Sequence, residues 1–200
     1  MEKAWNWSFN YFINTTFTLL NALNMDVDNL IYKADKAIDD GEIEIAKEIL
    51  IQIISEEPKY GQAYSYLGWL YKTKYNDSRM AEKYYKLAID FSPEYPAAYM
   101  NYIYLLRDQG RLEDLEALLK KAEKVKQVTR NGYYDELGTL YELKGDFTQA
   151  IKNYQRAITF TFGDSAIEDL KKHISRCVEK RNILAPNKVA RAFRILFGKE

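Results

Sequence analysis

Two stretches of this sequence repeat each other closely, and the repetition favours a stacked architecture. Residues 63–89 and 133–158 carry tyrosine, leucine, glycine, alanine and isoleucine at corresponding places. The matched pairs are Tyr64/Tyr134, Leu67/Leu137, Gly68/Gly138, Tyr71/Tyr141, Ala81/Ala150, Tyr85/Tyr154, Ala88/Ala157 and Ile89/Ile158. Two weaker copies extend the pattern, so that repeats start at residues 27, 61, 96 and 131. A period of this length is typical of arrays in which each unit buries its apolar surface against its neighbours.

The spacing of apolar residues in the fourth copy predicts two helices joined by a tight turn. Residues of the first stripe recur at intervals of three and four, as on one side of a helix. They are Tyr134, Leu137 and Tyr141. We expect Gly145 to follow the end of this helix and Asp146 to cap the next one. Gly138 and Ala150 are small at the predicted helix crossing, which would let the two backbones approach closely.

Composition excludes several classes of function. The chain has 29 basic and 29 acidic residues, so no overall field attracts nucleic acid or a membrane. Its single cysteine and single histidine rule out a disulfide framework and a cysteine-based metal site. No phosphate-binding loop or catalytic motif is present. We therefore expect no enzyme activity, no catalytic residues, no metal site and no cofactor. Without a convincing signal peptide, we expect a cytoplasmic protein.

The period and the residue types together resemble the tetratricopeptide repeat, a helix-turn-helix unit of about 34 residues. The resemblance covers about residues 27–163 and implies an all-α fold, a right-handed α-solenoid of about four helical hairpins. We expect residues 1–26 to form an aromatic capping helix before this array. Residues 164–200 are expected to form a C-terminal solvating helix, followed by a short basic amphipathic helix.

The two ends of the chain suggest other ways to bind. Residues 4–25 contain no charged side chain, and residues 180–199 contain six basic residues and no acid. Residues 27–60 have a net charge of −5, so the two ends of one chain could attract those of another. The candidate residues for self-association or a partner are Trp5, Trp7, Tyr11, Lys188, Arg191, Phe193 and Arg194. A homodimer or head-to-tail oligomer is therefore one alternative, and peripheral membrane attachment is a less favoured one.

The resemblance also implies a concave groove lined by the first helix of each hairpin. Its candidate residues are Ser65, Trp69, Lys72, Met100, Asn101, Tyr104, Arg107, Asp135 and Thr139. Trp69 and Tyr104 are large aromatics outside the family's packing positions, and exposed aromatics often dominate binding energy. Lys72 and Arg107 would favour an acidic ligand. The predicted function is therefore a non-catalytic adaptor or scaffold that binds a peptide or helical segment of another protein, with no nucleic acid expected.

Overall fold

A computed structural model describes residues 27–184 of the chain. Within that range the chain forms nine α-helices and no strands, with short turns between consecutive helices. The first helix, α1, covers residues 27–39. The others are α2 (Ile43–Glu56), α3 (Gly61–Thr73), α4 (Ser78–Phe91), α5 (Pro96–Asp108), α6 (Leu112–Ala122), α7 (Arg130–Leu143), α8 (Phe147–Thr159) and α9 (Asp164–Leu184). None of these helices is long and apolar enough to cross a membrane.

Contacts between helices divide the chain into two compact units, and the division falls inside α5, after Ala98. The core of the first unit forms where small and aliphatic side chains of α1, α2 and α3 meet. Its fully buried members include Ala34, Ala46, Leu50, Ile53 and Leu70. On α4, the ring of Tyr84 stacks against Tyr71 of α3, with 5.3 Å between the ring centroids. Burial of these aliphatic and aromatic surfaces is the main favourable contribution to the stability of the unit.

In the second unit the core between α8 and α9 is formed by small and aromatic residues. Ala150, Tyr154 and Ala157 of α8 are fully buried, and they pack with Leu170 and Cys177 of α9. Because this stripe of α9 is buried, α9 is an integral part of the second unit.

The repeated glycines are explained by tyrosines of the following helix. A Cβ atom added to Gly68 would lie 2.6 Å from the ring of Tyr85, and one added to Gly138 would lie 2.6 Å from the ring of Tyr154. Both distances are far inside van der Waals contact, so only glycine fits there without movement of the ring. The prediction attributed Gly138 to close backbone approach. The structure shows that a buried tyrosine ring occupies the space in both copies.

The predicted turn between α7 and α8 is confirmed. Gly145 has a φ of +78°, a left-handed conformation that glycine adopts without strain. The Asp146 carboxylate accepts a hydrogen bond from the backbone N–H of Gln149 at 3.0 Å, as an N-cap does. Asp77 caps α4 in the same way through the N–H of Met80. The two closely matched hairpins therefore share an N-cap aspartate as well as the glycine–tyrosine contact.

Candidate ligand-binding face

The predicted groove residues of the first unit are less exposed to a ligand than the sequence suggested. Ser65 is only 2% exposed, which corrects its prediction as a lining residue. The reason is that α3 is buried on several sides, since Ala63, Tyr64 and Leu67 are buried beside it. Lys72, also on α3, is half-buried.

Trp69 is half-buried as well, and its indole packs against the core formed by α1, α2 and α3. The Nζ atom of Lys74 lies 5.6 Å from the centre of the Trp69 ring, within the range of a cation–π contact. Part of this side chain therefore serves the fold, and less of it is open to a ligand than the prediction assumed.

In the second unit, the predicted residues on α5 lie together. Met100, Asn101 and Tyr104 are all half-buried. The Arg107 guanidinium lies 5.0 Å from the centre of the Tyr104 ring, which places a cation over the aromatic face. Arg107 Nη1 also donates a hydrogen bond to Glu136 Oε1 of α7 at 2.6 Å. This arginine is therefore fixed by an intramolecular partner.

Glu136 of α7, which was not among the predicted groove residues, is the acid that lies most deeply buried beside Arg107. Its side chain is 6% exposed, and its Oε2 atom has no hydrogen-bond partner. Burial raises the pKa of Glu136 to about 7, even though the charge of Arg107 acts in the opposite direction. Burying this carboxylate therefore costs more than its ion pair with Arg107 recovers.

Asp135, the neighbouring residue, faces α9. Its Oδ1 atom lies 3.5 Å from Nδ1 of His173, and neither atom has a hydrogen-bond partner. Burial raises the pKa of Asp135 despite the nearby His173. The His173 ring packs 5.1 Å from the Tyr154 ring, centroid to centroid, which holds the imidazole beside the carboxylate. The two polar atoms are thus buried close together without a hydrogen bond.

A cleft of about 450 Å³ lies between α7 and α9 at this point. Its polar lining comes from both helices. The residues are Asn131, Asp135, Asp169, Lys172, His173 and Arg176, together with Thr161 of the turn before α9. Lys172 pairs with Asp169 at 2.9 Å, and Arg176 pairs with Glu142 at 2.7 Å. Both strong cations of the lining therefore already have carboxylate partners.

The Glu142 carboxylate joins three helices. Arg176 Nε and Nη2 each donate to it at 2.7 Å, Lys180 donates at 2.9 Å, and the Tyr154 hydroxyl donates at 3.0 Å. Burial alone would raise the pKa of Glu142, but these hydrogen bonds outweigh burial and lower the pKa to about 2. Thr139 Oγ1 lies 3.2 Å from the Tyr154 hydroxyl. Thr139, predicted as a groove residue, therefore contacts this network.

The structure thus brings Tyr104, Arg107 and Asp135 into one unit and adds residues that sequence reasoning missed. Glu136 was missed because it falls between the groove positions counted along α7. The cleft residues of α9 were missed because the repeat pattern treats α9 only as a solvating helix. The one sequence signal was His173, the single histidine of the chain. The residues proposed for self-association, at positions 5–11 and 188–194, lie outside the described range. Within residues 27–184, no group of three or more His, Cys, Asp or Glu side chains is placed to hold a metal ion.

Comparison with known proteins identifies the fold. No protein-family model matches the sequence, and no curated protein does. Among solved structures, Pseudomonas aeruginosa PilF has a TM-score of 0.67 at 14% identity, with 90% of this chain and 95% of that chain covered. PilW, a type IV pilus biogenesis factor, has a TM-score of 0.60 at 17% identity over 88% of this chain and 86% of that one.

A thermophilic tetratricopeptide-repeat protein of Thermus thermophilus, TTC0263, has a TM-score of 0.58 at 19% identity, over 84% of this chain and 96% of that one. The paired helices, their glycine–tyrosine contacts and the 34- to 35-residue period agree with this likeness. The chain therefore has the fold of the tetratricopeptide-repeat proteins.

Proposed function

We propose that this protein is a non-catalytic adaptor that binds a segment of another protein on the second unit. The proposed surface, called here the α5–α7–α9 face, consists of Tyr104, Arg107, Asp135, Glu136 and His173 with the adjoining cleft. The observation that carries the proposal is the cleft of about 450 Å³ beside buried polar atoms that lack hydrogen-bond partners. Buried polar groups without partners are costly, so a ligand that reached Asp135 or His173 from the cleft and supplied a hydrogen bond would gain affinity.

The aromatic and cationic part of the face suits a protein ligand. Tyr104 and Arg107 are of residue types enriched at the centres of protein interfaces. The cation over the ring and the ion pair with Glu136 hold both side chains in place before binding. A ligand that meets fixed side chains loses less conformational entropy on binding than one that must order them. An extended or helical segment could therefore rest on Tyr104 and place one side chain in the cleft.

The charges of this face do not favour the acidic ligand that Lys72 and Arg107 suggested. Arg107 already pairs with Glu136 at 2.6 Å and with Asp108 at 3.2 Å. An acidic segment would have to compete with both carboxylates and would also approach Asp135. The proposal therefore keeps Tyr104 and the cleft as the binding determinants and does not rely on Arg107 as an anchor for an acid.

A random-peptide display library panned against the full chain would test this function. Selected peptides should bind with measurable affinity in fluorescence anisotropy, and they should shift the amide resonances of α5, α7 and α9 in NMR spectra. Tyr104→Ala should weaken binding by about tenfold or more, as loss of a central aromatic does. Tyr32→Ala is the matched control, because Tyr32 is 67% exposed on α1. Failure to select any peptide, or equal affinity for the Tyr104→Ala variant, would refute the proposal.

A further inference from the structure

In the cleft between α7 and α9 the basic side chains have close partners, whereas the carboxylate of Asp135 does not. Its cations Lys172 and Arg176 both make close ion pairs, with Asp169 and Glu142 respectively. In contrast, the contact of Asp135 with a basic side chain is longer: its Oδ1 atom lies 3.5 Å from Nδ1 of His173, without hydrogen-bond geometry. Among the charged residues lining the cleft in the described structure, the carboxylate of Asp135 is therefore the least satisfied.

The next residue of α7, Glu136, is a second carboxylate with an unpaired oxygen atom. Glu136 is 4% exposed, and the atom without a hydrogen-bond partner is Oε2. Arg107 serves Glu136 through the other carboxylate oxygen, Oε1, at 2.6 Å. Two consecutive carboxylates thus have fewer hydrogen bonds than a buried or half-buried carboxylate normally receives. Of the two residues, Asp135 is the one that lines the cleft, so it is the carboxylate that a donor entering the cleft could reach.

Although Asp135 Oδ1 is buried beside His173, the rest of the Asp135 side chain is open to the cleft. Its side chain is 37% exposed, and it lines the cleft together with Asn131, whose amide oxygen can also accept a hydrogen bond. A cleft of about 450 Å³ lies within the range of cavities that hold whole ligand groups. A long side chain entering from solvent could therefore bring an N–H donor to the carboxylate while its aliphatic part lies beside Leu170, which also lines the cleft.

We infer that the cleft between α7 and α9 binds an arginine or lysine side chain of the partner segment, with Asp135 as its carboxylate partner. This inference rests on the proposed function and specifies the chemistry of its ligand. Charge-assisted hydrogen bonds between a basic side chain and a carboxylate are about twice as strong as neutral ones. Asp135 would thus select basic segments over neutral and acidic ones.

The test uses small probes on the full chain, followed by NMR of the backbone amides. Acetyl-arginine amide is compared with acetyl-citrulline amide, which has nearly the same shape without the charge, and with acetyl-glutamate amide. We expect saturable shifts at Asn131, Asp135 and His173 with the arginine probe. Binding of the citrulline and glutamate probes should be weaker by about tenfold or more. Equal binding of arginine and citrulline, or stronger binding of glutamate, would overturn the inference.

Two variants that each remove one negative charge distinguish a direct contact with Asp135 from a general electrostatic attraction. Asp135→Asn should weaken binding of acetyl-arginine amide by about tenfold. Glu168→Gln on α9 should not, because Glu168 is 61% exposed and does not line the cleft. Equal effects of the two variants would overturn the role of Asp135. If display-selected peptides bind at Tyr104 but carry no basic residue in the cleft, this inference fails and the proposed function stands. If no peptide is selected, the proposed function itself fails.

Discussion

Replacing Glu136 by glutamine should stabilise the protein by about 3 kcal/mol at pH 8 and by only about 1 kcal/mol at pH 5. Glutamine has nearly the shape of a protonated glutamate, so it fills the same space without the cost of burying a charge. In the folded protein the pKa of Glu136 is about 7, against an ordinary value of 4.5. With its side chain 6% exposed, the carboxylate is almost fully removed from water, so solvent screening reduces this effect very little.

The direction of this pH dependence follows from the order in which Glu136 loses its proton in the unfolded and the folded chain. Below pH 4.5 the carboxyl is protonated whether the chain is folded or unfolded. Between 4.5 and 7 the unfolded chain ionises first, so the free energy of unfolding falls as the pH rises. Above pH 7 both states are ionised and the loss is complete. A shift from 4.5 to about 7 corresponds to about 3 kcal/mol at pH 8 and about 1 kcal/mol at pH 5.

Urea unfolding followed by circular dichroism from pH 5 to pH 8 measures this difference. The free energy of unfolding of the unmodified protein should fall relative to that of Glu136→Gln, and the gap should reach about 3 kcal/mol. Glu142→Gln is the matched control, because the pKa of Glu142 is lowered to about 2. Its partners Arg176 and Lys180 are each about half exposed, so solvent screens the ion pairs in part. Glu142→Gln should therefore lower the free energy of unfolding by about 2 kcal/mol throughout this pH range. Parallel pH profiles for Glu136→Gln and the unmodified protein would refute the reasoning.

Three further experiments test the packing of the second unit. Gly138→Ala should destabilise the protein by about 1–3 kcal/mol in thermal unfolding, because the added Cβ would lie 2.6 Å from the Tyr154 ring. This clash outweighs the better helix propensity of alanine. A higher melting temperature would contradict this prediction. Asp146→Ala should cost about 1 kcal/mol through loss of the N-cap, whereas Thr148→Ala, an exposed change in the same turn, should cost much less. Cys177 is buried and burial raises its pKa to about 11, so its thiol should react with a disulfide reagent at pH 8 only after urea unfolding; rapid reaction in buffer would contradict its burial.

Local features of the hairpins could be predicted from the sequence because neighbouring residues determine them. The turn at Gly145 and Asp146 needs only a left-handed residue and a short acceptor side chain, and both are visible in the sequence. The glycine–tyrosine pairs were also visible as matched positions. Their contact was not, because Gly138 and Tyr154 lie on different helices and pattern alone does not show which side chain fills the space.

The candidate site was harder to predict because it depends on partners far apart in the chain. Arg107 alone suggested an anchor for acids, but Glu136, 29 residues later, already accepts its hydrogen bond. Ser65 fell at a groove position by counting, and only the packing around α3 shows that it is buried. The pairing of Asp135 with His173 required the orientation of α9, which the repeat period does not specify.

The three-helix network around Glu142 also determines how short a working version of this protein can be. A chain that stops before α9 would lose Arg176 and Lys180 and leave the Glu142 carboxylate with the Tyr154 hydroxyl and no cation. It would also uncover the faces of Ala150, Tyr154 and Ala157 that pack with Leu170 and Cys177. The smallest autonomous piece of the second unit therefore extends to α9, and any gene fusion or domain exchange should join the chains beyond Leu184 rather than at the end of the fourth repeat.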